Sequence, residues 1–408
     1  MSALGLLGAP FYVVAALFTG YLVLVAGAAV AAAGRSRRAG AAARPSARHR
    51  FAIVVPAHNE AATLPALLAA LARLDYPRPQ YEVVVVADHC DDDTAAVAAA
   101  GGARVLVRRE AGARGKGAAL GWAFARLLPE RRHDAFLVLD ADTRPRPDVL
   151  GRLDARLRRG ASAVQGYCAV ANPHESWRTA LMAADMALVH YLRPAGRQAL
   201  GGSADIHGNG FCLTRATLAR VPWATASVAE DHEYHLRLLV AGLRSAFAPD
   251  AVVYTVMEPT MRTARAQELR WEGGRLALAR RHVALLLGAA WRRRSWTHLD
   301  AALDLATPPF ALLAAGTGAM TVLSGLAALA GASRLPALLW AGLLAGQAFY
   351  VFAGCALARV PARAYAALVV YGPVYAVAKV WYCALVFAGR ARGWVPTPRK
   401  APPLEKAA

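Results

Sequence analysis

The chain has 408 residues, a formal net charge of +20 and 57% apolar residues, with a mean hydropathy of +0.31. That is chain enough for one catalytic domain plus a membrane part, and too apolar for an ordinary soluble enzyme. The charge first suggests nucleic acid, but no nucleic-acid motif accompanies it and the arginines cluster beside apolar segments, which excludes that partner.

Residues 1–34 carry no charge, and Phe11–Ala33 is almost wholly apolar. Such a run can cross a hydrocarbon core about 30 Å thick. It lacks a basic n-region and is too long for an ordinary h-region, so it reads as an anchor rather than a cleaved leader. Residues 35–50 are a basic linker in which Arg35, Arg37, Arg38, Arg44, Arg48 and Arg50 have no acid among them. Clusters of this kind mark the cytoplasmic side of a bilayer and make membrane lipid an expected partner.

Residues 51–263 alternate strands and helices. Phe51–Val55 is a buried strand ending at Pro56, and Glu60–Leu74 has helical spacing of Leu64, Leu67, Leu68 and Leu71. Tyr81–Ala87 and Arg104–Val107 read as strands, Ala95–Ala100 and Ala118–Leu128 as helices, and Ala135–Leu139 as a fourth strand ending at Asp140. This rhythm predicts an α/β fold, a mainly parallel sheet with helices on both faces. Ligands of such sheets sit beyond the carboxyl ends of the strands. His58, Asp88 and Asp140 all follow strand ends.

The pattern changes over 264–304. Arg265–His282 reads as an Arg-rich helix and Trp291–Leu305 as a helix lying among headgroups. Leu305–Ser333 and Leu335–Ala358 are free of charge and predict two crossings over 305–358. The segment 359–389 is harder: Ala364–Ala388 contains Pro373, a potential helix breaker, and Lys379, costly at a bilayer centre. Tyr371, Tyr375, Trp381 and Tyr382 suit an interface, so the segment is expected to be interfacial or re-entrant, with a full crossing as the alternative. The basic tail, 390–408, then stays cytoplasmic. The five cysteines lack metal spacing and predict reduced thiols in a cytosol-facing domain.

Several short patterns carry chemistry. The loop of Pro56, His58 and Glu60 can hold a base or ribose, or simply turn the chain into a helix. Asp88 can accept a hydrogen bond from a base N–H, whereas Asp91–Asp93 read as caps of the helix after Thr94. Arg114-Gly115-Lys116-Gly117 is a small basic loop that lets backbone and Lys116 approach an anion, though its spacing is not that of a P-loop. Asp140-Ala141-Asp142 can present oxygens to Mg²⁺ or Mn²⁺, which would neutralise a diphosphate leaving group. Glu230-Asp231 opens a helix and offers a carboxylate to take a proton from a hydroxyl. Zinc at His232 and His235 would need further ligands that the sequence does not display. Gln267 and Arg270 share a helical face, where Arg270 can clamp phosphate and Trp271 can stack on a sugar or anchor in an interface.

Taken in this order, the motifs resemble those of the family 2 glycosyltransferases, most closely the membrane-integrated branch of cellulose, chitin, hyaluronan and poly-N-acetylglucosamine synthases. The resemblance covers about residues 51–300 and, loosely, the membrane segments. It implies a GT-A fold, inversion at the anomeric carbon, a UDP-sugar donor and a glycan acceptor. By position it places Pro56, Glu60 and Asp88 at uridine, Lys116 near the diphosphate, and Asp140 and Asp142 in the D-x-D motif, with Asp142 as direct metal ligand. Asp231 becomes the general base, Gln267, Arg270 and Trp271 form Q-x-x-R-W, and Gly208–Cys212, with Gly210 and Phe211, becomes a segment touching acceptor. Trp394–Arg399 resembles a tail of the same branch. Two departures stand out: Ala229 where the motif has threonine, and Glu268 where arginine is common.

The expected function is sugar transfer to a glycan hydroxyl at the inner membrane, in cell-envelope or extracellular polysaccharide synthesis, with the catalytic domain cytoplasmic. Partners in polysaccharide export or assembly are part of that expectation. A transferase to polyprenyl phosphate would share the donor residues but would need neither the Trp271 platform nor a strong base. A noncatalytic scaffold would not need Asp88, Asp140, Asp142, Asp231 and Arg270 together.

Overall fold

A computed structural model describes residues 3–38, 48–110, 112–225 and 227–388. Most of the basic linker, and the tail with Trp394–Arg399, lie outside the described residues. The described residues divide into two compact units, interleaved in sequence: those within 48–172 and 203–258 make one, and those within 3–38, 173–202 and 259–388 the other. The stretch 51–263, expected to be continuous, thus lends residues 173–202 to the helical unit.

The first unit is built on eight strands: β1 (Phe51–Ala57), β2 (Tyr81–Asp88), β3 (Arg104–Arg108), β4 (Ala135–Val138), β5 (Arg144–Pro145), β6 (Ala163–Val170), β7 (Phe211–Thr214) and β8 (Ser245–Thr255). They lie in the order β3-β2-β1-β4-β7-β6-β8-β5. β1, β2, β3 and β4 pair in parallel. β7 is antiparallel to β4 and β6, and β5 to β8. β6 and β8 pair in parallel, so the sheet is mainly parallel, as the sequence rhythm predicts, with antiparallel pairs entering beyond β4.

β1 explains why helices must cover both faces. Phe51, Ile53 and Val55 pack with Leu64, Leu67 and Leu71 of α2 (Leu64–Ala72) and with Val149, Leu150 and Leu153 of α5 (Val149–Leu157). Ala52 and Val54, pointing the other way as period 2 requires, pack with Leu120, Ala123 and Phe124 of α4 (Lys116–Leu127). α2 starts later than the apolar spacing suggested. The Glu60 carbonyl first accepts from Thr63 and Leu64 amides at 3.1 and 3.0 Å, and Pro65 then fits the first helical turn. Of the three acids before the short α3 (Thr94–Ala100), Asp93 holds the N-cap position without a side-chain cap bond, and Asp92 accepts from the Ala61 and Thr94 amides.

The second unit is helical: α1 (Ala3–Arg38), α6 (Trp177–Ala187) and α7 (Arg193–Ala199) joined by a π-helical turn, α10 (Met261–Arg293), α11 (Trp296–Ala306), α12 (Phe310–Leu329), α13 (Leu335–Ala358) and α14 (Ala362–Phe387). Among the described residues four stretches are long and apolar enough to cross a membrane: Ala9–Arg35, α12, α13 and α14. Polar side chains join them. Gln347 of α13 donates to Thr19 of α1 and to Thr317 of α12 at 3.0 and 2.9 Å. Gly196 lets α7 approach α1 closely, since a Cβ there would collide with the Val25 carbonyl oxygen.

Two helix boundaries differ from expectation. The predicted helix Trp291–Leu305 is split at Arg294, whose φ of +47° ends α10 in a left-handed turn. Pro373 does not break the fourth apolar segment, because α14 runs through it. Packing holds the helix just before the proline: α14 packs Ala367 against Ala180 and Leu181, and stacks Tyr371 on Trp177 with ring centroids 5.1 Å apart.

Candidate active site

Strand order decides which candidate residues meet. The parallel pairing of β1 with β4 carries Asp140 to the carboxyl edge of the sheet. Antiparallel β7 pairs Val138 with Phe211, so the chain entering β7 at residues 207–210 passes beside the same turn. Asn209 locks the two together: its Oδ1 accepts from the Asp140 amide at 3.2 Å and from Thr143 Oγ1 at 3.1 Å. Gln165 braces this loop from β6, donating to the Asn209 carbonyl and accepting from the His207 amide, each at 2.9 Å.

Lys116 enters from the opposite side. Gly115, at φ +104°, turns the chain so that Lys116 opens α4. Its ammonium donates to Asp140 Oδ1 and to the Gly208 carbonyl. Gly208 lies between Lys116 and Asp231. A Cβ on it would lie 3.1 Å from Asp231 Oδ2 and 3.4 Å from Lys116 Nζ. Asp140, Lys116, Gly208 and Asp231 therefore line one locus.

Asp231 is on the first turn of α9 (Glu230–Val240), beside Glu230. Ala229 occupies the N-cap with no side-chain cap, and the acids of the first turn complement the helix dipole instead. Burial raises the Asp231 carboxyl, but His232, through its charge and its bonds to Oδ1, and Lys116 outweigh it and hold Asp231 below the usual carboxylate range. Glu230 goes the other way: burial, then the negative Asp231 next to it, push it up to about 7. Burial would lower Lys116, yet the carboxylates of Asp140 and Glu230 outweigh that and raise it. The locus thus holds an ionised acceptor of protons beside a fixed cation.

The remaining sequence candidates fall into place variously. Asp88 ends β2, but its Oδ1 already accepts from Arg108 at 2.6 Å and His89 at 2.8 Å, and the residue is 5% exposed. Arg108, at the end of β3, was not among the sequence candidates, although a charged residue closing an apolar strand is a readable sign. His58 bonds the Asp88 carbonyl at 2.7 Å, while Glu60 takes the Thr63 hydroxyl at 2.5 Å. Pro56 is the penultimate residue of β1. Phe211, expected to touch an acceptor, is fully buried in the core and stacks on Trp223. Gly210 serves the sheet: its amide donates to Val138 O at 2.9 Å, and its φ is +71°. The member of this segment that faces the locus is Gly208. Gln267, Arg270 and Trp271 lie in the helical unit on α10, partly buried for the first two and 36% exposed for Trp271.

Among the described residues no three His, Cys, Asp or Glu side chains gather as a ready cation cage. Asp140 and Asp142 follow one another in the turn after β4, and the Lys116 ammonium already occupies a cation position on Asp140. Two hard carboxylates fit Mg²⁺ or Mn²⁺, ions that complete their shells with water and substrate phosphate.

A sheet whose parallel half ends in paired carboxylates, faced by an acidic helix start, defines a GT-A-like transferase domain. The chain belongs to the glycosyltransferase-like family 2, whose model matches residues 49–274. It is 26% identical over 234 residues to the "Probable glycosyltransferase YdaM" of Bacillus subtilis, covering 55% of each chain. It is 31% identical over 193 residues to a beta-monoglucosyldiacylglycerol synthase of Trichormus variabilis, covering 46% of this chain and 40% of that one. An N-acetylglucosaminyltransferase of Mesorhizobium japonicum is 28% identical over 239 residues, 54% of each chain. The chain thus spans about half the length of the curated relatives it matches. Among solved structures, the mannosyltransferase PcManGT from Pyrobaculum calidifontis aligns over 85% of this chain and 99% of its own, at 22% identity and a TM-score of 0.45.

Proposed function

We propose that this protein is a membrane-bound, inverting glycosyltransferase that moves a hexosyl or N-acetylhexosaminyl group from a UDP-sugar to a glycan hydroxyl. The observation that carries the reading is the convergence of Asp140, Lys116 and Asp231 around Gly208 at the carboxyl edge of the sheet. Asp231 takes the proton of the acceptor hydroxyl as its oxygen attacks the anomeric carbon. The bond from that carbon to the diphosphate oxygen breaks, its electron pair stays with UDP, and the configuration inverts. Lys116 lies where it can balance negative charge that develops on the diphosphate. Asp140 and Asp142 would hold Mg²⁺ or Mn²⁺, which when bound supplies further charge neutralisation at the diphosphate. The family resemblance assigns donor phosphate to Arg270 and a stacking face for the acceptor to Trp271.

Four helices long and apolar enough to span support a location in the inner membrane, with the transferase unit cytoplasmic. A second reading of the acceptor, a lipid hydroxyl, is favoured by the likeness to the Trichormus synthase, whose name gives monoglucosyldiacylglycerol as product. Membranes carrying the protein should release UDP from one member of a UDP-sugar panel only when acceptor is present. A soluble or pelleted glycan product supports the first acceptor; an organic-extractable glycolipid supports the second. No UDP release above vector membranes from any donor would sink the proposal. Trp271→Ala should weaken acceptor dependence more than UDP binding, and an unchanged acceptor dependence would return Trp271 to a membrane anchor.

A further inference from the structure

The helix α10 carries one fully buried charge, Glu268, in the second position of the Q-x-x-R-W segment. Its carboxylate is clamped from two other helices. Arg178 of α6, itself fully buried, donates to Oε1 at 2.7 Å, and Lys379 of α14 donates to Oε2 at 2.5 Å. Lys379 also reaches Glu272 Oε1 at 2.8 Å, and the Tyr375 hydroxyl donates to Glu268 Oε1 at 3.3 Å. Two cations and two carboxylates thus alternate, Arg178–Glu268–Lys379–Glu272, and their formal charges cancel.

Apolar packing does little to set the rotation of this end of α10. Its other buried residues are Ala264, Gly274, Leu278 and Leu286, so both large side chains lie in the distal half. At about 100° per residue, Gln267, Arg270 and Trp271 occupy an arc of about 100° that begins about 60° from Glu268. A rotation by one residue would bring Gln267 or Leu269 to Arg178 and Lys379 and would part both cations from the Glu268 carboxylate. A buried ion pair adds little stability over an apolar substitute of the same volume, but it penalises every arrangement in which the partners part.

We propose that Glu268 is a positioning residue whose clamp by Arg178 and Lys379 sets the rotation of α10 and so presents Gln267, Arg270 and Trp271 as one face. The functional half of this inference rests on the glycosyltransferase reading of that motif; the geometric half does not.

The test uses the full chain in lipid nanodiscs with Cys90→Ser, because Cys168, Cys212, Cys355 and Cys383 are buried. Single reporters, Trp271→Cys and Leu269→Cys, are labelled with a soluble maleimide with and without Glu268→Gln. The ratio of the two rates is expected to change fivefold or more. A ratio constant within twofold overturns the clamp. If Glu268→Gln does not fold, Lys379→Met with Glu272→Gln removes one cation and one anion; the same shift in ratio then supports the clamp and the same constancy overturns it. In the chain without reporters, Glu268→Gln should lower turnover at least tenfold, with UDP affinity held within twofold and Glu268→Asp restoring part of the loss. Turnover that falls only in step with the folded fraction would mean a purely structural clamp and overturn the positioning role. A shifted ratio with unaltered turnover would remove Q-x-x-R-W from the reaction while leaving the clamp standing.

Discussion

Lys116 at the start of α4 forms an ion pair with Asp140, the first acid beyond β4, and bonds the Gly208 carbonyl with the same ammonium. One side chain therefore ties a helix N-terminus, the acidic turn and the loop before β7 into a single locus. Asp231 borders that locus through Gly208, and the first expectations concern this locus.

Asp231→Asn keeps the shape of the side chain but cannot accept the acceptor's proton. Turnover should fall by about 10²–10⁴-fold, the usual reach of general base catalysis. UDP affinity, measured by calorimetry, should change little. A variant within a few fold of wild-type turnover would remove Asp231 from the role.

Transfer should require Mg²⁺ or Mn²⁺ and stop in excess chelator. Asp142→Ala should cost more activity than Asp140→Ala, because Asp140 already shares its charge with Lys116. Activity in chelator equal to that with metal would contradict the first statement, and the reverse order of the two variants the second.

Gly208→Ala should reduce turnover about tenfold or more while leaving UDP binding near normal. Its φ is +33°, and a methyl group would be wedged 3.1 Å from Asp231 Oδ2 and 3.4 Å from Lys116 Nζ. A displacement of about 1 Å at reacting groups is enough for losses of up to about 10²-fold. Wild-type kinetics in this variant would mean that Asp231 and Lys116 are not used together.

Glu230 gives a pH dependence of stability. Its folded carboxyl is raised from 4.5 to about 7, first by burial and then by Asp231. The folded state therefore binds this proton more tightly than the unfolded chain. The resulting stabilisation is present below about pH 4.5 and is lost as pH rises through 7. Glu230→Gln, always neutral, should exceed wild type above pH 7 by on the order of 1–3 kcal/mol. The gap should close towards pH 4.5 in thermal melts; a gap independent of pH would show that Glu230 does not titrate in this range.

The last expectation is topological: three full crossings, α14 along the interface, and a cytoplasmic tail. Lys379 lies past the middle of α14 and is bonded to Glu268 and Glu272 of α10. Arg262, Arg265, Arg280 and Arg281 of α10 are exposed, and charges of that kind suit headgroups better than hydrocarbon, which is the ground for expecting α14, bonded to this helix, at the interface. In a cysteine-free variant with one cysteine added to the tail, an impermeant maleimide should not label intact cells. Labelling would make α14 a fourth crossing.

The sequence alone determined the periodic parts of this protein. The apolar runs marked the helices long enough to cross a membrane, because a bilayer demands length and apolarity that can be counted residue by residue. Phe51–Val55, Tyr81–Ala87 and Ala135–Leu139 were legible as strands, and the acids beyond them as candidates, because buried parallel strands need unbroken apolar runs that stop where the ligand edge begins. Antiparallel β7 was not legible. Its four residues have no period of their own, and only pairing with β4 turns Gly208 towards Asp231 and Phe211 into the core. Pairing between residues far apart in the chain leaves little trace in local pattern. The charges were misleading for the same reason. Glu268 looked like a loss from its motif and Lys379 like an obstacle in an apolar helix. Each is explained by the other, 111 positions away, and only tertiary structure brings a buried charge to the partner that makes its burial tolerable.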